Sequence, residues 1–177
     1  MSISSKTAVG GLTAALACAV MFCINLIPLA QYTIPATAGG IIYCSSFAAG
    51  KRWAFYSYIV CGVISFFICS DKETFIAYAV IFGYYPLLGT ELEKLRLLPV
   101  RLIVKLIYIN AVAALYYFLA VAVFNIPVDP MILGVRLYAV FLIFVNIAFF
   151  LYDRFILVFT RRYRFVIEKM IRIVFKK

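Results

Sequence analysis

Charged residues punctuate this chain at wide intervals, and the apolar runs between them set its architecture. Residues 7–50 carry no Lys, Arg, Asp or Glu. That is long enough for two crossings of a hydrocarbon layer about 30 Å thick. Pro28, Gln31 and Pro35 interrupt the run and predict a turn, giving a first helix over 8–27 and a second over 34–50. Lys51 and Arg52 end the second, with Trp53 at an interfacial position. A third helix over 53–69 stops at Asp71-Lys72-Glu73, and a fourth over 74–90 precedes the charged segment 91–101. A fifth over 102–124 ends at Asn125-Ile126-Pro127-Val128-Asp129-Pro130, and a sixth spans 132–157.

Composition turns this pattern into a class. Hydrophobic residues make up 67% of the 177 positions and charged residues 14%, with a mean hydropathy of +1.08. A soluble domain is about half apolar and a quarter charged, and a chain this short has no core large enough to hide the excess. The expected fold class is all-α: a polytopic membrane protein with six transmembrane helices and a C-terminal basic amphipathic helix. Residues 1–159 form the membrane domain and 160–177 a cytoplasmic tail. In that tail seven Lys or Arg alternate with Phe165, Val166, Met170, Ile171, Val174 and Phe175. Such a helix favours the anionic lipids of an inner leaflet.

The net charge of +10 follows the loops and forms no nucleic-acid groove. With both termini inside, 15 of the 17 cations fall on the cytoplasmic side, and only Lys72 and Arg136 lie outside. That bias predicts an N-in, C-in protein of a bacterial inner membrane. Ala36-Thr37-Ala38 has the small-x-small form of a signal cleavage site, but the preceding apolar run is too long for one.

Little of the sequence carries reaction chemistry. There is no histidine, and Cys18, Cys23, Cys44, Cys61 and Cys69 form no C-x-x-C pair, so no metal site or cofactor is expected. No nucleophile–base set or phosphate loop is present, and the chain reads as a non-enzyme. Asn110 and Asn146 are the main polar residues in mid-helix, suited to a hydrogen bond between helices. Asp153 and Arg154 read as an interfacial ion pair at the inner end of the sixth helix, leaving no embedded carboxylate elsewhere. Pro86 is expected to bend or break the fourth helix near its cytoplasmic end and set Glu91, Glu93, Lys94 and Arg96 along the inner surface.

Two groups of residues are candidates for binding. On the first helix Gly11, Ala15 and Ala19 form a row at spacing four, beside a second row of Gly10, Ala14 and Cys18. Small rows of this kind let another helix approach closely, either from a partner subunit or from the same chain. The outer loops collect Asn25, Gln31, Tyr32 and Thr33, then Asp71, Lys72, Glu73 and Thr74, then Tyr116, Tyr117 and Asn125, and finally Arg136 and Tyr138. A small-molecule site needs an apolar wall with a few convergent polar groups. Asn25, Gln31, Tyr32, Asp71, Tyr117 and Arg136 are the expected set, with Arg136 requiring an anion, a polar partner such as Asp129 or Asp71, or the headgroups.

Size, six helices with both ends inside, Ala15-x-x-x-Ala19 and the stretch Gly50-Lys51-Arg52-Trp53-Ala54 together resemble the substrate-binding S components of energy-coupling factor (ECF) transporters. The resemblance covers roughly residues 6–157. It implies that Gly11, Ala15 and Ala19 dock onto a transmembrane coupling subunit driven by two ATPase subunits. It also implies a small-molecule ligand, such as a vitamin, held near the outer helix ends under the loop between the first two helices. The missing histidines argue against nickel and cobalt types. A non-transporting scaffold for cell-shape or envelope assembly is the competing reading, because it uses the same small-residue faces and basic tail without a pocket.

Overall fold

The computed structural model of the chain describes residues 2–93, 97–123, 131–132 and 135–174. Helix α1 (Ile3–Phe22) starts at Ser2, whose hydroxyl accepts from the Ser5 amide at 3.2 Å and so satisfies one of the unpaired first-turn donors. Short 3-10 turns at Cys23–Asn25 and Pro28–Ala30 lead into α2 (Thr33–Ala49). Gly50, at φ +93°, reverses the chain in one residue, a conformation that costs glycine nothing and other residues a Cβ clash. Helix α3 (Lys51–Ile68) follows at once. Asp71 then caps α4 (Lys72–Ile76), accepting from the amides of Glu73 and Thr74. The chain continues through a π-helical segment (Ala77–Phe82) into α5 (Tyr85–Leu92). Helix α6 (Leu98–Phe118) extends into a second π turn (Leu119–Val123). A two-residue pairing of Met131–Ile132 with Val135–Arg136 precedes α7 (Leu137–Val174). The architecture is all-helical.

Small residues bring the first three helices together. The buried positions of α3, namely Ala54, Ser57, Cys61 and Ser65, repeat at three and four and make one narrow face. The Ser57 hydroxyl donates across to the Gly10 carbonyl at 2.9 Å, a contact that only a small-residue surface allows. Ala17, Met21, Ala38, Ile42 and Tyr78 complete the core around this seam.

The π-segment has a local cause. The Gly83 amide reaches back five residues to the Tyr78 carbonyl at 2.8 Å. This shift turns the Ala79 carbonyl to the Tyr58 hydroxyl, which donates to it at 2.6 Å, while the Tyr78 hydroxyl donates to the Tyr58 carbonyl. Four residues past Phe82, Pro86 has no N–H to offer that carbonyl. Gly39 of α2 lies directly against it, and a Cβ there would overlap the Phe82 carbonyl oxygen. Of the bend or break expected at Pro86, the structure has the break, with α5 beginning afresh at Tyr85.

Among the described residues, four helical stretches are long and apolar enough to cross a membrane: Ile3–Asn25, Lys72–Leu92, Leu98–Phe118 and Leu142–Ile171. Helix α2 has only 17 residues, and α3 spends its first two positions on Lys51 and Arg52. Exposed large side chains such as Ile103, Ile107, Phe144, Ile147, Leu151 and Phe155 clothe α6 and α7, far more apolar surface than a water-facing monomer presents. Helix α7 has 38 residues, a rod of about 57 Å at 1.5 Å per residue. The helix expected for the basic tail is present to Val174, as an unbroken continuation of this rod. Its beginning is strapped to α2: the Tyr43 and Thr160 hydroxyls pair at 2.7 Å, and the Arg164 guanidinium lies 6.0 Å over the Phe47 ring.

Candidate functional site

The most concentrated polar chemistry lies where α5, α6 and α7 meet, toward the Gly50 end of the bundle. Lys105 follows Ile109, Val112, Ala113 and Tyr116 on the buried face of α6, so the helical period itself carries its ammonium inward. Its Nζ donates to both Asp153 oxygens, at 2.8 and 2.7 Å, and to Glu93 Oε1 at 2.6 Å. All three of its hydrogens are thereby used. Glu93 turns its other oxygen to Arg101, at 2.8 Å, and Asp153 takes a further short hydrogen bond from the Tyr85 hydroxyl. Exposure falls inward along this chain, from 22% at Arg101 and 18% at Glu93 to 2% at Lys105.

Two cations and two carboxylates balance, and rings enclose them. The Tyr85 ring meets Phe149 edge-on at 4.5 Å and lies 5.6 Å from Tyr108. Burying ions is costly unless each finds a well-aligned partner, and here every charged oxygen of Asp153 and Glu93 has one. The geometry fits a fixed strut across three helices; the saturated Lys105 has no hydrogen left for a ligand. Beside it, the Tyr152 hydroxyl is buried with no hydrogen-bond partner among the described residues.

This cluster corrects three sequence expectations. Asp153 is 5% exposed and pairs with Lys105 and Tyr85; Arg154 beside it faces outward. Lys105, expected among the cytoplasmic flanking cations, is the most deeply buried charge of the cluster. Glu93 likewise turns into the bundle, although it was expected along the inner surface. Glu91 instead pairs with Lys51, whose ammonium also donates to the Thr90 hydroxyl. Lys94 and Arg96 lie outside the described residues. The missed signal was the long apolar stretch around Asp153: a carboxylate well inside a membrane-length helix calls for a buried cation. Asn110 and Asn146 do face each other between α6 and α7, with amide contacts of 3.4 and 3.5 Å.

At the opposite end, the expected ligand residues divide. Asn25 donates to the Ile68 carbonyl at 3.0 Å and accepts from the Ser70 amide at 3.0 Å, which ties the turn after α1 to the end of α3. Asp71 spends its oxygens on the start of α4, accepting also from the Thr74 hydroxyl. Both are loop fasteners. Tyr32, half-exposed, lies close to Tyr116, with Glu73 and Asp71 nearby. Gln31 is half-buried next to it, and Tyr117 lies on the exposed side of α6. Arg136 has a described backbone in the short strand pairing, its side chain lies outside the description, and Asn125 and Asp129 lie outside the described residues.

The two small-residue rows of α1 have separate fates. Gly10 and Ala14 are buried and Cys18 half-buried, within the chain; a Cβ on Gly10 would meet the Ser57 hydroxyl at 3.4 Å. Gly11, Ala15 and Ala19 are exposed, and nothing lies within 4 Å of where a Gly11 Cβ would be. Among the described residues no group of three His, Cys, Asp or Glu is placed to hold a metal ion. No protein family model, curated protein or solved structure matches this chain.

Proposed function

We propose that the chain is the membrane-embedded, solute-binding subunit of a multi-subunit, ATP-driven uptake transporter for a small molecule such as a vitamin. In this reading α2 and α3 cross the bilayer as well, giving six passes with both termini in the cytoplasm of a bacterium. The supporting observation is the free face of α1. The Gly10 row is used inside the chain, while the Gly11, Ala15 and Ala19 row next to it is left bare. A bare row of small residues suits close approach by a helix of another subunit. The chain performs no catalysis in this reading and takes its energy from partner ATPases. Gln31, Tyr32, Tyr117 and Arg136 are the remaining ligand candidates, joined by Tyr116 and Glu73.

The occupation of Asn25 and Asp71 in loop fastening favours a second reading, a scaffold that organises partner proteins and needs no pocket. Purification of tagged protein from native membranes separates the two. Recovery of two ABC-type ATPases and a large transmembrane subunit, abolished by Ala15→Trp, is the expected result. Recovery of cell-wall or cytoskeletal proteins, unaltered by Ala15→Trp, selects the scaffold.

A further inference from the structure

The outer surface between α3 and the π-segment carries a groove of ≈ 390 Å³. Gly62 and Ala79 line it together with the rings of Tyr58, Phe66, Phe67 and Phe75. Two features of the backbone open it: Gly62 has no side chain to fill it, and the π-segment widens the helix opposite. Nothing polar is offered inside. The lone hydroxyl of the lining, on Tyr58, is committed to the Ala79 carbonyl. A polar solute needs convergent hydrogen-bonding groups, so this groove suits a hydrocarbon chain.

Its loop end is marked by a cation. The Lys72 ammonium stands 5.1 Å over the Phe66 ring and donates to the carbonyls of Phe66 and Cys69, at 2.9 and 3.2 Å. Two of its three hydrogens are thereby used, and among the described residues the third remains for an anionic oxygen. The two carbonyls hold the side chain in place, so little further freedom is lost when it meets a ligand. Asp71 does not compete, since its oxygens cap α4.

We infer that this groove is a phospholipid site, with one acyl chain lying along Gly62 and Ala79 and the phosphodiester on Lys72. The inference rests on the membrane placement of the chain and is independent of the transport reading. Phosphatidylglycerol and phosphatidylethanolamine share the recognised phosphodiester, and separate measurements with each determine whether headgroup charge adds to it.

The test uses the full chain in nanodiscs containing a phospholipid with a photoreactive diazirine on one acyl chain. Labelling is expected to concentrate at least fivefold on peptides from 58–67 and 75–79 over those of α6 and α7. Gly62→Leu fills the groove where only the Tyr78 ring edge lies near, at 3.8 Å, and is expected to lower that labelling at least fivefold. Lys72→Gln is expected to lower retention of either phospholipid in native mass spectrometry while leaving diacylglycerol retention unchanged. Gel filtration of both variants identifies any that fail to fold, and the wild-type labelling map stands without them. Labelling spread evenly over all lipid-facing helices overturns the site. So does preferential cross-linking of the groove to a second copy of the chain or to a partner helix.

Discussion

Helices α1, α2 and α3 pack through small side chains, whereas α5, α6 and α7 pack through rings and charges. In the first group Ala17, Ala38, Ala54 and Cys61 have no exposure, and backbones come near enough for a serine hydroxyl to reach a neighbouring helix carbonyl. Contact there comes from dispersion over many atoms, each weak. In the second group Tyr85, Phe149, Lys105 and Asp153 hold the helices farther apart, and a few directional bonds fix their register. A seam of small residues tolerates sliding by a turn, since one alanine resembles the next. A lysine bonded to three specific oxygens does not.

The sharpest way to break this contrast is at the ion cluster. Removing one partner of a buried pair costs about 3–5 kcal/mol, whereas replacing both with apolar residues is often near neutral. Lys105→Met and Asp153→Leu are therefore each expected to lower the thermal midpoint of the detergent-purified protein strongly, and the double variant to recover most of the loss. A double variant as unstable as the sum of the singles would mean that the charges act apart.

The next effect belongs to the close approach of α2 to the π-segment. Gly39→Ala drives a methyl into the Phe82 carbonyl, and overpacking of this kind costs about 1–3 kcal/mol. Gly11→Ala on the same scale should be neutral or slightly stabilising, because the site is open and alanine is the better helix former. Thermal unfolding of the two variants side by side measures what close packing demands at one glycine and not at the other.

Single hydrogen bonds between helices come last. Polar contacts between membrane helices average about 0.6 kcal/mol. Ser57→Ala, which loses the bond to Gly10, is expected near that figure. Asn146→Leu, whose contacts with Asn110 are longer, should fall below it. Equal losses at Ser57 and Lys105 would erase the distinction between the two halves of the bundle.

The course of the chain was largely legible from its charges. Uncharged runs located the helices, Asp71-Lys72-Glu73 marked the stop of α3, and Asn110 and Asn146 stood out as amides suited to interhelical bonds, though not as partners of each other. Other features depend on tertiary context. Asp153 reads as interfacial only if the last helix ends near residue 157, and the helix in fact runs on to Val174. Lys105 reads as a flanking cation unless α6 is started at Leu98, which places it two turns inside. Proline pattern alone announced a bend or break at Pro86 but gave no sign of the π-segment before it, because that depends on Tyr58 and Gly39 from two other helices. The ligand set was the least legible part. Asparagine and aspartate serve loops and ligands through the same atoms, and only the backbone amides beside Asn25 and Asp71 distinguish the two uses.

In the six-pass reading, the single-residue reversal at Gly50 bears on how the protein is made. A helix of 17 residues and one of 18 residues with a doubly charged start are each marginal for independent insertion, at a rise of about 1.5 Å per residue against a layer of about 30 Å. Joined with no linker, they have no exposed intermediate in which one is lodged and the other waits. In that reading the hairpin partitions into the bilayer as a unit. On the same reading, lengthening the turn at Gly50 would give the insertion machinery a choice between the two segments that the direct join withholds.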